Sequence, residues 1–265
     1  MRHRRLCIKL PLLLPLLSSY ATAAIAGSVA RDRPLRISFD SASLPTMYAD
    51  AQGSPAGIYP SIVRTALTRI GEPAQLLAEP FRRLDGSLLA GSSAAGAVVR
   101  NSERLAVADY SADYYTEHLS IFQRSTSGTR LSTLDELRGL RVGVIRGWSY
   151  GDSFDMARDQ GLFQVEEVDS DAKNFAKLQR GRLDVLVATE LAGRMLVGDG
   201  SAKGIVAGTR PLITIGIALA IPKRLQAQGL LQRFDEVIAG MRRERLIDAI
   251  VATEIERARK LLPVD

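Results

Sequence analysis

The pattern that most constrains the fold is an alternation of short apolar segments with amphipathic segments, which occurs twice along the chain. In the first run, strand-like segments at 35–39, 74–78 and 96–99 are separated by segments of helical spacing. In the second run, strand-like segments at 141–145, 165–168 and 184–188 are separated in the same way. Strands that alternate with helices favour parallel sheets with right-handed crossovers. Each run therefore predicts a βαβαβ unit, and the fold class is α/β.

Helix signals support this reading. Apolar residues recur at helical spacing from Ile58 to Ile70, and Gly71 ends the pattern. Helices are also predicted from Phe81 to about Ala90, to about Gln160, and over 172–179 and 190–197, with a capping box at 133–136. A long apolar segment, Pro211–Ile221, precedes an amphipathic tail that we expect to pack as helices. Two α/β lobes with a cleft between them are the natural assembly, and ligands favour such clefts.

The N-terminus differs from the rest of the chain. Residues 1–9 contain four basic and no acidic side chains, an apolar run follows at Leu10–Leu17, and small residues dominate 20–26. This order is typical of a secretory signal, and we expect cleavage after Ala23 or Ala26. The apolar run is well short of the roughly 20 residues that span a bilayer, which argues against a membrane anchor. We therefore expect a secreted protein.

Charge and reactive side chains exclude several functions. Removal of the four bases in residues 1–9 takes the formal charge from +6 to +2, so no electrostatic argument favours nucleic acid. The one cysteine, Cys7, lies in the signal, and the remaining chain keeps a single histidine, His118. Disulfides, a thiolate nucleophile, a His-based metal site and a Ser-His-Asp triad are thus not supported, and no cofactor is indicated.

A candidate anion receptor follows the third predicted strand. Asn101 or Ser102 can cap a short helix, and Arg104 then lies one turn into it, near the carboxyl end of that strand. Ligands collect at this edge of open α/β sheets, and a guanidinium there can bind a carboxylate with both of its arms. The alternative, left open by these residues alone, is an Arg paired with a neighbouring Glu on the surface.

Several local patterns resemble one family. Gly53 and Gly57 precede an apolar helix, Asn101-Ser102-Glu103-Arg104 is followed by Asp109-Tyr110-Ser111, Leu134–Gly139 leads into Arg141–Val144, and Gly181-Arg182-Leu183-Asp184 comes later. Together, in this order and spacing, they resemble periplasmic solute-binding proteins of the polar amino-acid type, which serve ABC transporters. The resemblance covers about residues 35–255.

The resemblance implies a two-lobed periplasmic-binding-protein fold of type II-like organisation, closing on its ligand by hinge motion. Two βαβ lobes would be joined by crossover strands near His118–Gln123 and Ala207–Ile213, with C-terminal helices returning to the first lobe. The implied division is a signal peptide at 1–26, a linker at 27–34, lobe one at 35–118 and 209–265, and lobe two at 119–208. The partners implied are a small carboxylate-bearing ligand and an ABC transporter permease, and we expect a monomer.

The resemblance also implies site residues. Arg104 would bind the ligand carboxylate, with Ser149 at a helix N-terminus opposite it, where N–H groups and a partial positive charge favour anions. Further ligand-binding candidates are Asp40, Ser43, Phe81, Asn101, Trp148, Thr189 and Glu190. Phe81 would lie over the aliphatic part of the ligand, or would simply pack in the core.

Two departures from the family concern the ligand. The amine-binding Asp of the family falls at Thr189, and Thr cannot neutralise an ammonium, so Glu190 or Asp40 would have to take that role. Trp148 occupies a position where the family usually has a small residue, either as a stacking wall or as a filler of the cleft.

Two other functions stay open. One is a dehydratase of cyclic carboxylates with Glu190, Asp109 or Asp40 as general acid, and the other is a ligand-sensing module for a membrane sensor.

Overall fold

The computed structural model describes residues 34–262, apart from Asp199 and Ser201. The predicted signal peptide, its two cleavage sites and nearly all of the predicted linker lie outside the described residues. In the described part of the chain, no helix combines the length and the hydrophobicity that a membrane span requires.

The elements of the first part of the chain are β1 (Leu35–Asp40), β2 (Ala42–Ser43), β3 (Met47–Ala49), β4 (Pro55–Ala56), α1 (Ile58–Ile70), β5 (Ala74–Glu79), α2 (Phe81–Leu89), β6 (Ala94–Val98), α3 (Ser102–Val107) and β7 (Ala108–Tyr110). They are followed by β8 (Tyr115–Arg124), β9 (Arg141–Ile145), α4 (Asp152–Asp159), β10 (Gln164–Val168), α5 (Asp171–Gln179), β11 (Val185–Thr189), α6 (Glu190–Gly198), β12 (Ile205–Ala207), β13 (Ile213–Pro222), α7 (Gln228–Arg243) and α8 (Leu246–Arg259). The helix stop at Gly71 is confirmed, since this residue has a φ of 72° that favours glycine.

The two predicted βαβαβ units appear as the two halves of one sheet. Its strand order is β10-β9-β11-β8-β13-β6-β1-β5, while β12 pairs with β8 and β7 pairs with β13. Within the first half, β1 pairs in parallel with β5 and β6. Within the second half, β9 pairs in parallel with β10 and β11. The α/β fold class and the parallel βαβ units are thereby confirmed.

The strands that join the halves are antiparallel, which the strand–helix alternation does not predict. β8 and β13 pair with each other from Ile213 opposite Leu119 to Ile217 opposite Tyr115. Both strands have ten residues, and each continues beyond this pairing into one half of the sheet. The crossover pairing therefore lies at 115–119 and 213–217, a few residues away from the positions that the resemblance implies.

Separate hydrophobic cores support the two halves. The first packs α1, α7 and α8 against β1, β6 and β13, with Ile37, Ile62, Leu219 and Phe234 fully buried. The second half has cores on both faces of its sheet, one around Phe154 and Val187 and one around Phe122 and Phe175. The amphipathic tail thus returns to the first half, where α7 and α8 pack on α1. Burial of these apolar faces supplies the main driving force for the arrangement.

Candidate ligand-binding site

A pocket lies where the two halves of the sheet meet, and we call it the central pocket. It holds about 40 Å³ of open space, enough for a few water molecules. Its lining is mostly apolar and comes from both halves and from the crossover strands: Met47, Tyr59, Phe81, Ala97, Val98, Val99, Arg104, Glu117, Leu119, Trp148, Ser149, Thr189, Ile215 and Ile217. A bound solute larger than this space requires the walls to move apart.

Arg104 is the cationic side chain in the described lining of the central pocket, and it forms an ion pair with Asp85. Its side chain is 3% exposed, and its Nε donates to Asp85 Oδ1 at 2.7 Å while its Nη1 donates to the Val99 carbonyl at 3.1 Å. The guanidinium carbon lies 5.5 Å from the centre of the Phe81 ring. Nη2 makes no hydrogen bond to the described residues. The guanidinium is therefore fixed by the protein and keeps one donor arm for a ligand.

The position of Arg104 follows from the cap of α3. Asn101 has extended backbone angles and its Oδ1 accepts the Arg104 N–H at 2.9 Å, which is the predicted N-cap. The helix begins at Ser102, four residues after β6 ends at Val98. Asn101 is not among the residues that line the central pocket, and its side chain instead caps the helix that carries Arg104.

Ser149 lines the central pocket from the second half of the sheet, with a bonding pattern that differs from the expected one. Its hydroxyl donates to Asp155 Oδ2, and its Oγ accepts the Gly151 N–H at 3.3 Å. The Tyr150 N–H is also bonded to Asp155, at 3.2 Å. Asp155 lies in the first turn of α4 and already balances the helix terminus. In this arrangement Ser149 offers an acceptor rather than a donor.

Two aromatic rings close one side of the pocket. The Phe81 and Trp148 rings lie 5.9 Å apart, and Trp148 also packs against Tyr150 at 6.1 Å. The Trp148 indole Nε1 is buried without a hydrogen bond of normal geometry. Phe81 and Trp148 belong to different halves of the sheet, so their contact bridges the site. Both candidates therefore line the pocket.

Asp40 and Ser43 lie beside the central pocket rather than in its lining. Asp40 lines a neighbouring cavity of about 520 Å³ that shares Phe81 with the central pocket and includes Arg82, Arg146 and Lys173. The Ser43 hydroxyl donates to Asp40 Oδ2 at 2.8 Å. Burial raises the pKa of Asp40, and the hydrogen bond from Ser43 opposes that shift. Ser43 thus orients Asp40 and touches neither cavity.

The expected replacements for the amine-binding acid do not lie in the central pocket. Thr189 does line it, and its Oγ1 accepts the Ala192 N–H at 3.3 Å. Glu190 instead pairs with Arg194 one turn along α6. Asp109, a general-acid candidate, accepts a hydrogen bond from Gln228 at 2.8 Å. The i,i+4 geometry of Glu190 and Arg194 explains why Glu190 turns away from the pocket.

Glu117 is the pocket acid that the sequence reasoning missed. It lies on the crossover strand β8, is 4% exposed, and accepts a hydrogen bond from the Tyr59 hydroxyl. Its position in the strand could have revealed its burial. Side chains alternate between the two faces of a strand, so Glu117 lies on the same face as the buried Leu119. An acid on the buried face of a strand indicates a special environment.

Buried acids dominate the electrostatics around the two cavities. Burial raises the pKa of Glu117 to about 8, and the Asp171 carboxyl adds to that shift. Burial also raises the pKa of Asp171 to about 7, with the nearby Asp40 adding to it. Asp171 Oδ1 and both side-chain atoms of Asn174 are buried without hydrogen-bond partners. Burial and the neighbouring acids thus favour the protonated form of Glu117 and Asp171.

Comparison with known proteins places this geometry in a family. The family model of bacterial extracellular solute-binding proteins, family 3, matches residues 35–255. The chain belongs to this family. The expected resemblance is thereby confirmed, and the central pocket lies between the halves of a solute-binding fold. No curated protein matches this family 3 chain in sequence.

Solved structures agree on the fold. A histidine kinase sensor domain with similarity to periplasmic binding proteins is 20% identical, with a TM-score of 0.72 over 83% of this chain and 95% of that one. The amino acid ABC transporter substrate-binding protein AbpA from Streptococcus pneumoniae, bound to L-arginine, is 17% identical, with a TM-score of 0.71 over 85% and 95%. The P235GK mutant of ArgBP from T. maritima is 22% identical, with a TM-score of 0.69 over 84% and 95%. The two-lobed periplasmic-binding-protein fold is therefore confirmed.

Proposed function

We propose that this chain binds a small carboxylate-bearing solute in the central pocket and delivers it to an ABC transporter permease. The observation that carries the proposal is the Arg104 guanidinium, which is buried, held by Asp85 and Val99, and left with one free donor arm in the pocket lining. A fixed guanidinium with a free N–H arm in an apolar pocket is suited to one oxygen of an anionic group. Neighbours of the same fold include an amino acid ABC transporter substrate-binding protein that was solved with L-arginine.

The proposal includes a working cycle. Lobe one would comprise residues 35–118 and 209–265, lobe two residues 119–208, and β8 and β13 would act as the hinge. Separation of the lobes would part Phe81 from Trp148 and widen the small central pocket. The solute would then bind to Arg104, with Phe81, Trp148, Ser149 and Thr189 as its other contacts. The chain would act as a periplasmic monomer after removal of the signal peptide.

The direct test is calorimetry on the wild-type chain and on Arg104→Ala, with a panel of L-amino acids and simple carboxylates. Binding of a panel member that is lost in Arg104→Ala supports the proposal. Equal affinity of the two proteins for that solute would move the site away from Arg104. Turnover of a prephenate-like cyclic carboxylate would instead support the dehydratase alternative.

A sensing role is the second candidate, and one observation favours it. The histidine kinase sensor domain shares the fold over most of both chains. Closure on a solute serves a sensor as well as it serves a transporter, because both use the same population shift. A permease and an ATPase encoded next to this chain would favour transport, and a sensor kinase encoded there would favour signalling.

A further inference from the structure

Glu117 is a buried acid without a positive partner. It is the third residue of β8, opposite Ile215 of β13, and it is one of the residues that line the central pocket. The Tyr59 hydroxyl donates to Oε1. Among the described residues, no Lys, Arg or His forms an ion pair or a hydrogen bond with Glu117. An ionised carboxylate in this position lacks the counter-charge that buried charges normally require.

The groups around Glu117 reinforce this imbalance. Tyr59 faces it from α1, Tyr114 and Tyr115 from the start of β8, and Asp171 from α5. None of these side chains is basic, and β13 contributes no titratable group opposite Glu117. Burial raises the pKa of Glu117 to about 8, so the carboxyl group carries a proton at neutral pH in the unoccupied protein.

Glu117 is also the one carboxyl group in the described lining of the central pocket. The lining has one cationic side chain, Arg104, and no ion pair joins it to Glu117. Thr189 adds only a hydroxyl, and Glu190 is paired with Arg194. A solute that carries both signs of charge would therefore meet Arg104 with its anionic group and Glu117 with its cationic group.

We propose that Glu117 is the receptor for a primary ammonium group of the solute, and that capture of this group releases the proton of Glu117 to solvent. This inference rests on the proposed function, because it assumes a solute held at Arg104. The ammonium keeps its protons, the carboxylic acid becomes a carboxylate, and one proton leaves. The small volume of the central pocket, its apolar walls and the Phe81–Trp148 contact favour a short solute that carries an ammonium and a carboxylate group.

The test pairs each L-amino acid of a panel with the 2-hydroxy acid of the same side chain, for example L-alanine with L-lactate. Thermal shift ranks the panel on the wild-type chain, and calorimetry then follows the best amino acid in buffers of different ionisation heat. We expect release of about one proton per bound amino acid at pH 7, and affinity that rises about tenfold per pH unit between pH 6 and 8. The 2-hydroxy acids should bind more weakly and release none.

Variants separate a receptor from a structural role. Glu117→Gln should abolish proton release and flatten the pH dependence, while circular dichroism checks that it folds. Tyr59→Phe removes the hydrogen bond that favours the carboxylate, so the rise in affinity should move to higher pH. Glu256→Gln, at an exposed acid that pairs with Arg259, is the matched control and should bind as the wild type does.

The outcomes distinguish the two proposals. Proton release near zero in the wild-type chain, or equal amino-acid affinity in Glu117→Gln, would overturn the role of Glu117 and leave the receptor function intact. Tighter binding of the 2-hydroxy acids would do the same. If no amino acid or 2-hydroxy acid stabilises the wild-type chain, the proposed function fails as well.

Discussion

The Tyr59 hydroxyl donates a hydrogen bond to Glu117 Oε1, which ties helix α1 to the crossover strand β8 inside the protein. The Tyr59 ring also meets Tyr114 and Tyr115 edge-on, at centroid distances of 6.0 and 5.4 Å. The hydrogen bond connects the largest core of the first half to the strand on which the two halves meet. The protonation of Glu117 therefore bears on the stability of the contact between α1 and β8.

Stability of the unoccupied protein should fall as the pH rises from 5 to 8. The pKa of Glu117 is raised to about 8, so the folded chain holds a proton that the unfolded chain loses near its ordinary value of 4.5. The stabilisation that this proton gives is complete below the pKa that Glu117 has in the unfolded chain. It is lost as the pH rises through the pKa that Glu117 has in the folded chain. Urea denaturation at pH 5, 7 and 8 should show a fall on the order of a few kcal/mol.

Glu117→Gln tests the source of that fall. An amide stays neutral at every pH, so the variant should lose little stability between pH 7 and 8. The free energy of unfolding of the variant should still fall with rising pH below pH 7, because the pKa of Asp171 is raised to about 7 by burial and by Asp40. A wild-type chain that is as stable at pH 8 as at pH 5 would contradict the assignment of a neutral Glu117.

Arg104 should be needed for solute binding as a guanidinium and not merely as a positive charge. Arg104→Ala removes a charged partner and should weaken binding by about 2–5 kcal/mol. Arg104→Lys keeps the charge but cannot hold Asp85 and Val99 while also reaching the solute, so it should bind weakly too. Calorimetry with the best panel solute measures both.

The matched control is Arg83→Ala, a nearby exposed arginine that pairs only loosely with Glu79 at 3.7 Å. It should leave the affinity unchanged within error. A loss of affinity in Arg83→Ala equal to that in Arg104→Ala would indicate a long-range charge effect. Most of that loss should then disappear when the measurement is repeated at high salt.

The Asn101 cap should contribute to stability and to the placement of Arg104. Asn101→Ala loses the hydrogen bond from the Arg104 N–H at 2.9 Å and should cost about 1 kcal/mol of unfolding free energy. Asn101→Asp keeps an acceptor and should retain most of the stability. Chemical denaturation measures the cost. An Asn101→Ala protein as stable as the wild type would mean that α3 is fixed by its other contacts alone.

The features that local patterns can encode were predictable from the sequence. The cap at Asn101, the stop at Gly71 and the alternation of strands with helices each depend on residues close together in the chain. Arg104 was found in this way, because a capped helix after a strand places its first turn at the strand edge. The same reasoning did not predict features that require residues from distant elements to pack together.

The missed features depend on distant parts of the chain. The burial of Glu117 requires α1 and β13 to cover one face of β8, which alternation along a single strand does not determine. The bond from Ser149 to Asp155 depends on the path of the loop before α4. The long apolar segment near 211–221 resolves into a strand only because it pairs with β8, β6 and β7 in turn.

Trp148 should set the upper size of the solute. Its ring meets Phe81 at 5.9 Å across the small central pocket, so Trp148→Ala removes a wall without touching Arg104 or Glu117. We expect the variant to gain affinity for long amino acids such as L-arginine relative to L-alanine, at some cost in stability from the lost contact with Tyr150. Calorimetry gives the ratio of the two affinities for each protein. Trp148→Phe is the control, since it keeps an aromatic wall and should change the ratio less. An unchanged ratio in Trp148→Ala would assign the ring to packing between the two halves of the sheet, with the size limit set elsewhere.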